Sequence, residues 1–129
     1  MLYQMKTEEG SIGIGRDVIT RIIIEVVEQF QGKVLISNAK GKLLGPGMRL
    51  VGVGEGSFIE LEMGKQGLDI RLNIVIRFGT SISMVTEQLI IDIKENIEKY
   101  TGIEVNSTAV VVAGLLSKQM TRRNIEVRG

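Results

Sequence analysis

At 129 residues the chain is long enough for one domain with an apolar core of its own. It contains no cysteine and no histidine, which excludes disulfides, thiolate and imidazole metal ligands, and every Ser-His or Cys-His catalytic arrangement. Lys+Arg at 16 against Asp+Glu at 15 leave a formal charge of +1, too small a field to point at nucleic acid or an acidic bilayer as the main partner.

The opening MLYQMKTEEG has no basic stretch leading into an apolar run. No window approaches the ~20 apolar residues needed to cross a bilayer. A cytoplasmic protein is expected, without direct insertion into a membrane. Residues 1–9 read as a flexible polar start, and a short strand is predicted over residues 11–14. A helix should follow over residues 17–30, because Ile19, Ile22, Ile23, Val26, Val27 and Phe30 recur at the spacing of one helical face. Asp17 would sit in its first turn, where a negative charge suits the helix dipole, and Gly32 marks its stop. Its many β-branched residues are mediocre helix formers, so tertiary packing must hold it.

Residues 33–57 carry Gly41, Gly45, Gly47, Gly52, Gly54 and Gly56. The sole proline, Pro46, lies between two of these and marks a turn. Strand-like pieces at 34–36 and 49–53 flank that turn. The run from Gly52 to Gly56 is GxGxG rather than GxGxxG and leads into a strand, so a turn explains it better than a phosphate loop. In residues 58–63, Ile59, Leu61 and Met63 alternate with Glu60 and Glu62, a strand joined to the next by a turn at 64–67. The two glutamates read as solvation and edge protection, since nothing else converges on them.

Residues 67–114 give the clearest signal. Every even position from Leu68 through Ile70, Leu72, Ile74 and Ile76 to Phe78 is apolar, against Asp69, Arg71, Asn73, Val75 and Arg77 at the odd ones. That period of two predicts a strand with one buried and one wet face. The next helix should run from Ser81 or Ile82 to Tyr100, with Ser81 as N-cap and Gly102 as stop. Ile82, Val85, Leu89, Ile93, Ile97 and Tyr100 form its predicted buried stripe, and Glu95 with Lys99 a surface ion pair. The last strand, 103–113, breaks its own alternation. Ile103 and Val105 set an odd phase, while Thr108, Val110 and Val112 set an even one. One extra residue near Asn106 or Ser107, a β-bulge, would repair the slip. Residues 117–129 are polar, with Lys118, Arg122, Arg123 and Arg128, and read as a tail or an edge extension.

The order strand, helix, strand, strand, helix, strand predicts an α+β two-layer sandwich, with two helices on one face of a mostly antiparallel sheet. Residues 10–115 would form this single domain, between the flexible start and a basic polar tail at 116–129. RNA-recognition sheets share that order and stack bases on aromatic side chains of the open face. Here that face would show no aromatic residue, so Arg71 and Arg77 read first as a solvated surface, and Arg122 and Arg123 as part of an exposed tail. Val18 and Ile24 on the first helix, and Met84 and Ile91 on the second, lie off the core stripes. Ile24 is about 140° round the helix from Ile19. Together these four residues form a candidate protein-contact surface.

The pieces GSIGIGRDVITRI, LDIRLNIVIRFGTSISMV, IKENIEKYTGIEV and VVVAGL together resemble the alkaline shock protein family of Gram-positive bacteria, over residues 10–115. Two departures stand out. Gly15 replaces a Ser-like N-cap usual in the family, and the valine-rich last strand is more apolar. The resemblance implies a non-enzymatic cytoplasmic protein of envelope stress response or homeostasis, with no catalytic residue, metal or cofactor to carry over. It also implies self-association as a dimer or larger, and a partner that is a membrane-anchored relative or a protein of lipid metabolism. Residues 125–127 offer a further route to self-association, by adding to a neighbour's sheet edge. Two alternatives stay open: a nucleic-acid-binding module using the arginines and the tail, and an adaptor holding a small ligand or acyl chain between helices and sheet.

Overall fold

In the computed structural model, which describes residues 12–44, 57–116 and 121–128, the chain enters as a helix, α1 (Ile12–Glu28). Ile12–Ile14 therefore belongs to α1 and not to the strand expected at 11–14. Ile12 precedes Ile19 and Ile23 by seven and eleven residues, which is helical spacing, but Gly13 and Gly15 interrupt it with poor helix formers. Gly15 is buried within the helix rather than capping it, and Asp17 falls in the second turn, since the first turn holds no acid. The exit is as expected. Gln31 and Gly32 both take positive φ (57° and 87°), and the Gln31 N–H donates to Glu28 O at 3.0 Å.

The remaining elements are β1 (Val34–Ile36), β2 (Ile59–Gly64), β3 (Gly67–Arg77), α2 (Ile82–Thr101), β4 (Val105–Leu116) and β5 (Thr121–Arg128). They form one five-stranded sheet around β3. On one edge of β3, β1 pairs antiparallel with Ile74, Val75 and Ile76, and β2 with residues 67–72. On its other edge β4 runs parallel, and β5 closes the sheet antiparallel to β4. The α+β class and the mostly antiparallel open sheet hold. The element order departs from expectation at both ends: a helix replaces the first strand, and residues 121–128 supply a further one. The edge-extension reading of that segment is the one realised, within the chain itself. The predicted turn at Pro46, strand at 49–53 and GxGxG run fall outside the described residues.

Local signals at the other elements translate directly. Gly64 pairs with Gly67 across a two-residue turn. Ser81 caps α2, its hydroxyl accepting the Met84 N–H at 3.3 Å, and Gly102 ends it in the left-handed region at φ 78°. The expected bulge is present: Leu68 pairs with Val105 but Asp69 with Ser107, so Asn106 is the extra residue. A second slip, at Ala113 between the partners of Ile74 and Val75, was not expected from the pattern. The i,i+4 ion pair on α2 is Lys94–Glu98 at 3.4 Å rather than Glu95–Lys99.

Ile19, Ile23, Leu68, Leu72, Ile74, Leu89, Ile93 and Ile97 meet in one fully buried cluster, so both helices cover the even face of β3. The opposite face is not uniformly wet. Asn73 and Val75 are buried there, together with Ala109, Val111 and Ala113 of β4. The segment after β1 folds back beside them: Gly41 lies against Ala113 O, Ser37 N–H donates to Asn73 O at 2.9 Å, and Asn73 Nδ2 donates to Ser57 O. Two predicted stripe residues lie outside the core. Phe78 and Tyr100 are 69% and 65% exposed, Phe78 because β3 ends at Arg77, and Tyr100 because the last turn of α2 faces the core with Ile97 and Thr101 instead.

Gly67 sits where β3 crosses the start of β4. Its φ is +128°, and a Cβ there would lie 2.7 Å from Glu104 O. We predict that Gly67→Ala lowers unfolding stability by about 2–3 kcal/mol in urea titrations, through positive-φ strain plus a clash with backbone. A change within ~0.5 kcal/mol would show that this approach is not needed.

Candidate interaction surfaces

On the open sheet face two arginines converge on one carboxylate. Arg71 Nη1 and Nη2 donate to Glu126 Oε2 and Oε1 at 3.3 and 3.2 Å, a two-pronged pair linking β3 to β5 across 55 residues of sequence. Arg128 Nε donates to the same carboxylate at 2.6 Å. Beside them, Asp69 Oδ1 accepts from Asn106 Nδ2 at 2.9 Å and Ser107 Oγ at 2.8 Å, both brought there by the bulge. Asp69, Arg71, Asn106, Ser107 and Arg128 line an open cleft of about 740 Å³ with Glu60 and Glu62 of β2. Glu60 stands opposite Arg71 and accepts from Ser57 Oγ, whereas Glu62 stands opposite Asp69, a like-charge pair.

Electrostatics follow from these contacts. Hydrogen bonds from Asn106 and then Ser107 hold the Asp69 carboxyl below its ordinary value. The Val105 N–H does the same for Glu98, helped by Lys94, and so ties the end of α2 to the start of β4. For Glu126, partial loss of water pushes upward, but the bonds from Arg71 and Arg128 outweigh it and the carboxyl is lowered.

The helix layer carries the apolar surface. On α2, Met84 (71% exposed) and Ile91 (47%) stand seven residues apart on the ridge facing away from the core. Val18 of α1 is also exposed. Ile24 is half-buried instead and lines an apolar groove of about 340 Å³ between α1, β1 and Leu43–Leu44. Val18 and Ile24, six residues apart, lie on opposite flanks of α1, while Met84 and Ile91 share one face of α2. Arg77 is exposed at the end of β3, and its Nε donates to Gly32 O at 3.4 Å. Arg122 and Arg123 lie in β5, and their side chains are outside the described ones.

Sequence reading missed Glu126, Asn106 and Phe78 as surface groups. Glu126 had no signal, since its partner is remote. Asn106 had one, the phase slip at the bulge.

All three lowered carboxyls are harder to protonate folded than unfolded. Each therefore stabilises the fold at neutral pH, and that contribution is lost as pH falls through the lowered folded value. We predict that Tm declines on acidification below the ordinary values of about 4.5 for Glu126 and 3.8 for Asp69. Glu126→Gln and Asp69→Asn should each flatten that decline in pH-resolved melting curves. Unchanged slopes in both variants would remove these contacts as the source.

No helix among the described residues is long and apolar enough to cross a membrane. No curated protein and no solved structure gives a significant match to the chain. A family model does, over residues 4–117, and its description is a cell envelope-related function. That match spans β1 through β4 and all of α1 and α2, and the chain belongs to the alkaline shock protein 23 family.

Proposed function

We propose that the chain is a non-enzymatic, cytoplasmic protein-interaction module of cell-envelope homeostasis that self-associates as a dimer or larger. The observation that carries this is the α2 ridge. Val85, Leu89, Ile93 and Ile97 already satisfy the core, so Met84 and Ile91 are apolar surface the monomer does not need. Such surface on a stable monomer is an aggregation liability unless a partner covers it. The family's cell envelope-related function supports the setting, with a membrane-anchored relative or a lipid-metabolism protein as further partner.

A nucleic-acid module is disfavoured by the geometry. Arg71, the arginine best placed on the open face, is neutralised by Glu126, and that face shows no aromatic platform among the described residues. One observation favours a ligand-binding adaptor: the groove at Ile24, Val27, Val34, Ile36 and Leu44 is apolar and of small-ligand size. Native mass spectrometry with a stoichiometric bound lipid would raise that reading above the first.

The ridge is tested by analytical ultracentrifugation at tens of micromolar with Ile91→Glu, beside Val18→Glu on α1 as a variant off the ridge. We expect a dimer or larger for the parent chain and a shift toward monomer in Ile91→Glu. A parent chain that is already monomeric would remove self-association. Ile24→Glu is the less clean variant, because it also places a charge against the half-buried groove.

A further inference from the structure

At one pole of the molecule, where β3 hands over to α2, the chain makes a four-residue turn. The Thr80 N–H donates to Arg77 O at 3.1 Å and Gly79 takes φ +94°, which leaves Phe78 at the apex. The turn is held from below as well. Phe78 N–H donates to Leu116 O at 2.8 Å and Arg77 N–H to Lys33 O at 2.8 Å, so the exposed ring stands on a backbone bonded on both sides. A Cβ on Gly79 would meet nothing within 4 Å, so the tip is open. Phe78 and Met84 are the two most exposed large apolar residues described, and both belong to this pole.

The charges here contrast with those of the open face. Lys33 and Arg77 are exposed, flank the turn, and have no ion-pair partner among the described residues. The adjoining cavity, about 490 Å³, is lined by Phe30, Lys33, residues 79–81, Met84, Val85 and Gln88, without an acid. The α2 N-terminus opens onto it with no acid in its first turn, which adds to the positive field.

A rigid aromatic tip between two free cations suits a layer that is anionic outside and apolar just beneath. We propose that the turn at residues 77–80 contacts the headgroup layer of an anionic bilayer, with Phe78 entering the interface and Lys33 and Arg77 on lipid phosphates. The contact is shallow and spans nothing. A single tip of this size binds weakly, so several tips on one assembly would bind far more tightly than one. The inference goes beyond the interaction-module reading and does not rest on it.

The test is co-sedimentation of the full chain with phosphatidylglycerol-containing vesicles against purely phosphatidylcholine vesicles. The variants are Phe78→Ser, the double variant Lys33→Glu/Arg77→Glu, and Ile91→Glu as a ridge control, each checked for fold by circular dichroism. We expect binding to the anionic vesicles only, weakened by salt, with a loss of about tenfold or more in the double variant and a clear loss in Phe78→Ser. Ile91→Glu, in which Phe78, Lys33 and Arg77 are intact, should still bind once compared at equal oligomeric state. Absence of binding by the parent chain, equal binding to both vesicle types, or binding indifferent to the tip variants would overturn the proposal. So would a Phe78→Ser chain whose only change is in its sedimentation coefficient, which would make the tip a contact between copies.

Discussion

The parallel pairing of β3 with β4 is the constraint on which the rest of the structure depends. Parallel neighbours cannot be joined by a tight turn, so the chain must travel back along the sheet before β4 can start. The 20-residue α2 does this at about 1.5 Å per residue, against the 11 residues of β3 at about 3.3 Å. The two lengths match to within a few residues, so the connections at either end are short and their conformations fixed. Ser81 and Gly102 cap the helix where these connections meet it. The position of Phe78 is a consequence. With β3 ending at Arg77 and the α2 cap at Ser81, three residues must reverse the chain at the rim of the sheet, where neither layer covers them.

A second consequence concerns register. The twelve residues 105–116 of β4 lie beside the ten residues 68–77 of β3, and β4 absorbs the difference of two through two slips, at Asn106 and Ala113. The first keeps Val105 in the core while moving Thr108, Val110 and Val112 into phase with it. It also leaves Asn106 and Ser107 side by side on Asp69, which an unbroken strand would place on opposite faces. One inserted residue therefore serves packing on one face and fixes a carboxylate on the other.

What the sequence makes legible is what local chemistry decides. The hairpin at residues 64–67, both caps of α2 and the bulge near Asn106 each rest on a few neighbouring residues, and all are found. The start of α1 was obscured because Gly13 and Gly15 weaken a helical pattern that Ile12 continues. The second face of β3 could not be read at all. Asn73 and Val75 look like the wet half of an alternating strand, and they are buried by segments around Ser37, Gly41 and Ser57 that are remote in sequence. The Arg71–Glu126 pair is equally non-local, and with it the neutralisation of Arg71 on the open face. Among the candidate surface residues, Val18, Met84 and Ile91 are exposed, as positions off the core stripes should be, while Leu43 and Leu44 enclose Ile24 in a groove that no periodicity in α1 announces.

The net charge of +1 illustrates how much a sum conceals. On the open face Arg71 and Arg128 share one glutamate, and Glu60, Glu62 and Asp69 lie beside them without further cations in the cleft lining. Lys33 and Arg77 stand free of acids at the far end of β3, roughly 26 Å along the strand from Asp69 at ~3.3 Å per residue. That separation exceeds the Debye length of ~8 Å at physiological salt, so a partner approaching either end meets the local field and not the total. Near-neutral composition thus excludes a uniformly steered partner but not a partner held at one pole. The chain's surface chemistry is set by where β3 begins and ends, because its two termini carry these opposite patches.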